Sequence, residues 1–131
     1  MQLSPFMKYT QLDPAACEFY EIAALDDLPN GERLFVEIGE HFLVIFNIAG
    51  AFYAIEDNCS HEDEPLGEGQ LQGYEIVCPW HGARFDVRSG KALTLPAVED
   101  IPAYPVQVRD AQIWVGLPKD DEKDQETRPQ A

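Results

Sequence analysis

This chain has no long apolar run. Nothing in its 131 residues approaches the roughly eighteen consecutive apolar residues that a bilayer-spanning helix requires. Residues 1–9 carry only Lys8 as a cation and lack the apolar core of a secretory signal. Cysteine is scarce. Cys17, Cys59 and Cys78 are too few for a disulfide-built scaffold, and a reducing cytoplasm is the natural setting. Positive charge is scarce as well: nine Lys and Arg stand against 24 Asp and Glu, a formal net charge of −15. From Leu34 to Ala83 there is no Lys or Arg at all, while nine acidic residues fall in that stretch. Binding to phosphate needs cations, so nucleic acid and anionic membrane surfaces are excluded as partners.

Helical periodicity is also missing; no segment sustains it over three turns. What is present is a series of short runs of β type. Residues 19–25 are a first strand, and a turn cluster fills residues 26–31. Leu34, Val36 and Ile38 alternate, Gly39-Glu40 turns the chain, and Phe42, Val44, Phe46 and Ile48 alternate again. Ala49-Gly50 leads into a strand at residues 52–55. Further on, residues 74–77 and 83–87 read as strands, with a turn at residues 88–91. Residues 95–105, with three prolines, read as irregular. Val106 and Val108 face Ile113 and Val115 across Asp110-Ala111 as a last hairpin. The expected class is all-β, a small antiparallel sandwich or barrel of short strands.

Two cysteines and two histidines are concentrated in residues 59–81, as Cys59-Ser60-His61 and, after sixteen residues, Cys78-Pro79-Trp80-His81. Within each pair one tight loop can aim both side chains at a common point. Two thiolates and two imidazoles suit a borderline-soft metal, either zinc or an iron–sulfur centre. The order Cys then His in each half differs from a zinc finger's Cys pair followed by a His pair. Pro79 and Gly82 favour a turn over a helix, and a turn can point backbone N–H groups at sulfur.

Cys59-Ser60-His61 with Pro65-Leu66-Gly67, followed by Cys78-Pro79-Trp80-His81-Gly82, resembles the Rieske ferredoxin family. The likeness continues through Ala83-Arg84-Phe85-Asp86, Ser89-Gly90 and Leu95-Pro96-Ala97, over about residues 19–118. The resemblance implies one [2Fe–2S] cluster per chain in a two-loop cluster-binding subdomain. Cys59 and Cys78 would hold one iron, and His61 and His81 the other. It also implies that Leu95-Pro96-Ala97 covers the cluster. High-potential members of the family carry two further cysteines that brace the loops, where this chain has Glu64 and Trp80. They also use Ser and Tyr hydroxyls toward sulfur, where this chain has Ala83 and Phe85. Lost donors and nearby acids both disfavour the reduced state, which predicts a potential near the low end of the Rieske range, about −150 mV.

Trp80, Pro65 and Leu66 read as apolar cover over the cluster. Trp80 has a second reading, as a partner-facing aromatic. His41, at a strand head, reads as an ordinary surface histidine, and Cys17 as a bystander thiol. Glu62, Asp63, Glu64 and Glu68, close behind the first ligand pair, are either a solvated surface or a docking face for a basic partner. Residues 1–18 are expected to be an extension, residues 19–118 the cluster domain, and residues 119–131 a charged, disordered tail.

The leading functional expectation is a one-electron carrier, not an enzyme, taking electrons from a flavin-dependent reductase to a terminal oxygenase or similar acceptor. A small redox subunit of a larger reductase, such as an assimilatory nitrite reductase, is the alternative. A zinc-binding structural module is the third reading. An oxygenase in its own right would need a second iron site with two His and a carboxylate, and only His41 is left over.

Overall fold

The computed structural model describes residues 12–58, 65–79, 82–94 and 100–119. Ten strands make up almost all of its regular structure, with two short 3-10 turns at Pro14–Ala16 and Leu25–Asp27. The all-β antiparallel expectation holds.

The strands form three layers, and the middle one decides the arrangement. It is a four-stranded antiparallel sheet of β2 (Arg33–Ile38), β3 (His41–Ile48), β4 (Ala51–Glu56) and β8 (Ala103–Tyr104), in that order. Successive side chains on a strand point to opposite faces. On β3, Val44 and Phe46 enter one apolar cluster while Leu43 and Ile45 enter another. Ile55 and Ala54 divide the same way on β4, as do Ala103 and Tyr104 on β8. The sequence pattern Phe42, Val44, Phe46, Ile48 marks only one of these faces. The intervening residues are apolar too, so β3 is covered on both sides, and Phe42 is left exposed at its end.

One face is covered by the antiparallel sheet of β1 (Cys17–Ala24), β10 (Gln112–Pro118) and β9 (Val106–Arg109), whose Ile113, Val115 and Leu117 meet Leu43 and Ile45. β1 starts at Cys17, and Leu12 ahead of it donates its N–H to the Ala103 carbonyl at 3.0 Å. The other face carries the antiparallel sheet of β5 (Gln70–Gln72), β6 (Glu75–Val77) and β7 (Arg84–Asp86). Its Ile76, Phe85 and Val87 pack with Val44, Phe46 and Ile55. Each fully buried aliphatic or aromatic side chain contributes about 1.5–3 kcal/mol, so this interface fixes the third layer on the middle sheet.

The hairpins β3–β4 and β9–β10 turn through left-handed backbone at Ala49-Gly50 (φ 56 and 91) and Asp110-Ala111 (φ 52 and 64), as tight two-residue connections require. The expectation of an irregular 95–105 stretch needs correction. Ala103 and Tyr104 form β8, paired with Ile55 and Ala54. Flanking Pro102 and Pro105 hide so short a strand from a sequence pattern. β5 was not expected either, since Gln70-Leu71-Gln72 carries one apolar residue.

Candidate metal centre

Three gaps separate the described residues around the third layer: residues 59–64, 80–81 and 95–99. Their own placement lies outside the described residues, so Cys59, His61, His81, Trp80, Glu64 and the Leu95-Pro96-Ala97 stretch do too. The stems of all three are described, and each is held shut by named hydrogen bonds.

The first stem closes on one carboxylate. Asp57 Oδ1 accepts the N–H of Leu66 at 3.0 Å and of Gly67 at 2.6 Å, tying the chain just before residues 59–64 to the chain just after. Arg33 grips the same peptide from its other side. Its Nη1 donates to the Gly67 carbonyl and, at 2.7 Å, to the Gly69 carbonyl, while the guanidinium lies 5.2 Å from the Phe46 ring centre. Arg33 is the last cation before the cation-free stretch, and it is turned inward. Gly69 must be glycine, because a Cβ there would lie 1.8 Å from the Val77 carbonyl oxygen. That contact sets the first stem directly against the residue preceding Cys78.

The second stem is the turn after β6. Cys78 N–H donates to the Ala83 carbonyl at 2.7 Å, and Gly82 N–H, at φ +78, donates back to the Cys78 carbonyl at 3.0 Å. β6 and β7 are tied by Arg84, whose Nη1 donates to Gln72 and forms an ion pair with Glu75 at 3.2 Å. The third stem leaves β7 through Thr94, whose Oγ1 accepts the Arg84 N–H at 3.1 Å. Asp100 closes it by accepting the Ala92 N–H at 2.6 Å. An aspartate thus shuts the first and the third stem alike.

A stack of rings and charges anchors this layer below. Tyr53 of β4 meets Tyr74 edge to face at 5.8 Å between centroids, and the Arg88 guanidinium lies 4.2 Å above the Tyr74 ring. Arg88 in turn donates Nε and Nη2 to Asp86 at 3.0 and 2.9 Å. Burial would raise the Asp86 pKa, but these bonds and the Arg88 backbone N–H outweigh it and hold the carboxyl below its ordinary value.

Cys78 is the one expected ligand among the described residues. Its side chain is free, 1% exposed, and packed in the cluster that holds Leu66, Ala83, Phe85 and Ile101. Members of that cluster come from all three stems, so the stems converge. A thiol kept from water among apolar side chains, at the mouth of a turn, fits an iron–sulfur group. Ala83 and Phe85 are fully buried there and offer no side-chain donor. Leu66 is likewise fully buried in the cluster, whereas Pro65 is exposed. Cys17 lies elsewhere, in β1 opposite Pro118, and burial foremost raises its pKa. His41 opens β3, its ring in a T-shaped contact with that of Tyr104, the centroids 6.1 Å apart.

Sequence reasoning missed Arg33, Asp57 and Asp100. Their partners are backbone groups, which leave no signature in residue type. The one available signal was position: Asp57 precedes Cys59 by two residues, and Arg33 ends the run of cations.

Residues 18–105 match the family model described as Rieske [2Fe-2S] domain. Over 94 residues the chain is 42% identical to the 3-phenylpropionate/cinnamic acid dioxygenase ferredoxin subunit of Shigella boydii serotype 4 (strain Sb227), covering 71% of this chain and 88% of that one. Among solved structures it is similar to the ferredoxin of carbazole 1,9a-dioxygenase from Nocardioides aromaticivorans IC177. That match has 33% identity and a TM-score of 0.71 and covers 77% of this chain and 98% of the other. A chain from the complex of reduced oxygenase and oxidised ferredoxin in carbazole 1,9a-dioxygenase matches at 30% identity and TM-score 0.70, over 75% of this chain and 92% of its own length.

Proposed function

Since the chain belongs to the Rieske [2Fe–2S] domain family, we propose that it is the ferredoxin component of an oxygenase system, carrying single electrons from a flavin-dependent reductase to a terminal oxygenase. The observation that carries this reading is the convergence of three braced stems on the buried thiol of Cys78. The relatives named as ferredoxins of dioxygenase systems favour a carrier over a subunit of a nitrite reductase or a zinc module.

Within the proposal, Cys59 and Cys78 hold one iron of the cluster and His61 and His81 the other. When bound, the cluster supplies one reversible electron, at a potential raised above that of four-cysteine ferredoxins because two neutral imidazoles replace two thiolates. The chain's own residues do the rest. Leu66, Ala83 and Phe85 exclude water around Cys78, Asp57 and Arg33 hold the first loop, and Asp100 holds the third. No bond-making residue is assigned, and the chemistry on substrate belongs to the acceptor.

The proposal keeps the cluster domain at residues 19–118, lengthened by the first two residues of β1, Cys17 and Glu18. Cytoplasmic placement belongs to it as well, supported by the cysteine count: with Cys59 and Cys78 on the cluster, Cys17 is left alone and no disulfide framework is available. The test is a coupled assay in which NADH and a flavin reductase reduce cytochrome c through this protein. The carrier reading predicts a rate proportional to the protein added, and none from Cys78→Ser. A rate independent of the protein would contradict it.

A further inference from the structure

β2 and β3 end in an uncovered step beside the first stem. Phe35 is 46% exposed and Phe42 53% exposed, although both sit on the sheet face that elsewhere buries Val44 and Phe46. Glu37 pairs directly across from Phe42, so its carboxylate stands on the same face. Two grooves flank the Phe42 ring. One is lined by Phe35, Glu37 and Leu43; the other reaches Glu56, Asn58 and Pro65, and Asp57 borders both. The second groove therefore abuts both ends of residues 59–64, which contain two of the four assigned ligands.

The rim of this patch is acidic, with Glu37, Glu56 and Asp57, and the ion pairs seen among the described residues lie elsewhere, at Arg84–Glu75 and Arg88–Asp86. The stretch from Leu34 to Ala83 has no Lys or Arg, and the Arg33 guanidinium is spent on the Gly67 and Gly69 carbonyls and the Phe46 ring. An apolar centre inside an acidic rim complements an apolar centre inside a ring of Lys and Arg. A second copy of this chain does not, because it would bring another −15 charge against the same rim.

We propose that the Phe35–Glu37–Phe42 face is the docking surface for a redox protein whose contact surface is apolar at its centre and ringed by Lys and Arg. This deepens the carrier reading and rests on it. A partner seated there lies against the base of the first ligand loop, which shortens the path to the cluster. It also places the acidic character of residues 34–83 where it speeds encounter.

Cytochrome c, a redox protein with a lysine-ringed haem edge, is the probe. The reduced holoprotein, freed of dithionite, is mixed with oxidised cytochrome c at low and at high ionic strength, and haem reduction is followed by stopped flow. Glu37→Lys and Phe42→Ser are each expected to slow the low-salt reaction by roughly threefold or more, with wild-type cluster spectrum and potential. Glu37 is exposed, so its variant tests the surface even where Phe42→Ser folds poorly. Val108→Ser, on an exposed β9 position of the outer sheet, should react as wild type. Wild-type rates in both patch variants, or equal slowing by Val108→Ser, would overturn the proposal. So would a wild-type dimer that Phe42→Ser dissolves. A wild-type protein with no reducible cluster overturns the carrier reading itself, and the docking surface with it.

Discussion

Arg33→Ala should loosen the first ligand loop markedly. Arg33 Nη1 serves the Gly67 and Gly69 carbonyls, both on buried residues. One nitrogen shared by two acceptors is worth nearer one charge-assisted bond than two, about 2 kcal/mol. Loss of the cation over Phe46, 5.2 Å from its ring centre, adds about 0.5–1 kcal/mol. The sum, about 3 kcal/mol, corresponds to roughly a hundredfold rise in the open population of the stem at residues 65–69. Hydrogen exchange of the Leu66, Gly67 and Gly69 amides reads that population directly. Bleaching of the visible spectrum in excess chelator reads the same opening through loss of the cluster. Arg33→Lys, which keeps the charge but presents a compact ammonium in place of the planar fork, should fall between. Wild-type exchange at these amides together with wild-type bleaching in Arg33→Ala would refute the reasoning, because it would mean that the stem stands without its brace.

Other outcomes follow from the same structure. Cys78→Ser and His61→Ala should lose the native cluster spectrum while Cys17→Ser keeps it; bleaching in the Cys17 variant would show the ligand assignment to be wrong. With Ala83 and Phe85 in place of hydroxyl donors, a redox titration should give a potential near −150 mV; a value well above zero would contradict this. Acid should reveal the Asp86–Arg88 pair. The Asp86 pKa is lowered on folding, so its stabilisation is complete above the unfolded carboxyl value of about 4 and disappears as pH falls through the folded value. The stability gap between wild type and Arg88→Ala should therefore be constant near neutrality and close in acid, as denaturant melts at stepped pH would show.

The two Cys and His pairs stood out in the sequence because each is local, Cys59 with His61 and Cys78 with His81. Most strands were legible for the same reason, since alternation over four to eight residues is a local property. What stayed hidden was non-local. Alternation from Phe42 to Ile48 could not say that Leu43 and Ile45 face a second layer, because that depends on β10 returning some seventy residues later. Arg33 could be read only as a cation at the end of a run until the fold brought it to the Gly67 carbonyl. Gly69 likewise gave no sign that Val77 lies against it. Motif chemistry is written in residue type, whereas the bracing of the loops is written in backbone proximity.

The central claim is that a mixed Cys/His [2Fe–2S] cluster resides here, and electron paramagnetic resonance addresses it most directly. Protein purified without oxygen would be measured before and after dithionite, with iron, sulfide and zinc assayed on the same sample. The account predicts a silent oxidised form that gains a rhombic signal of low average g value, with two irons and two sulfides per chain. A colourless protein with one zinc and no signal in either state would contradict it.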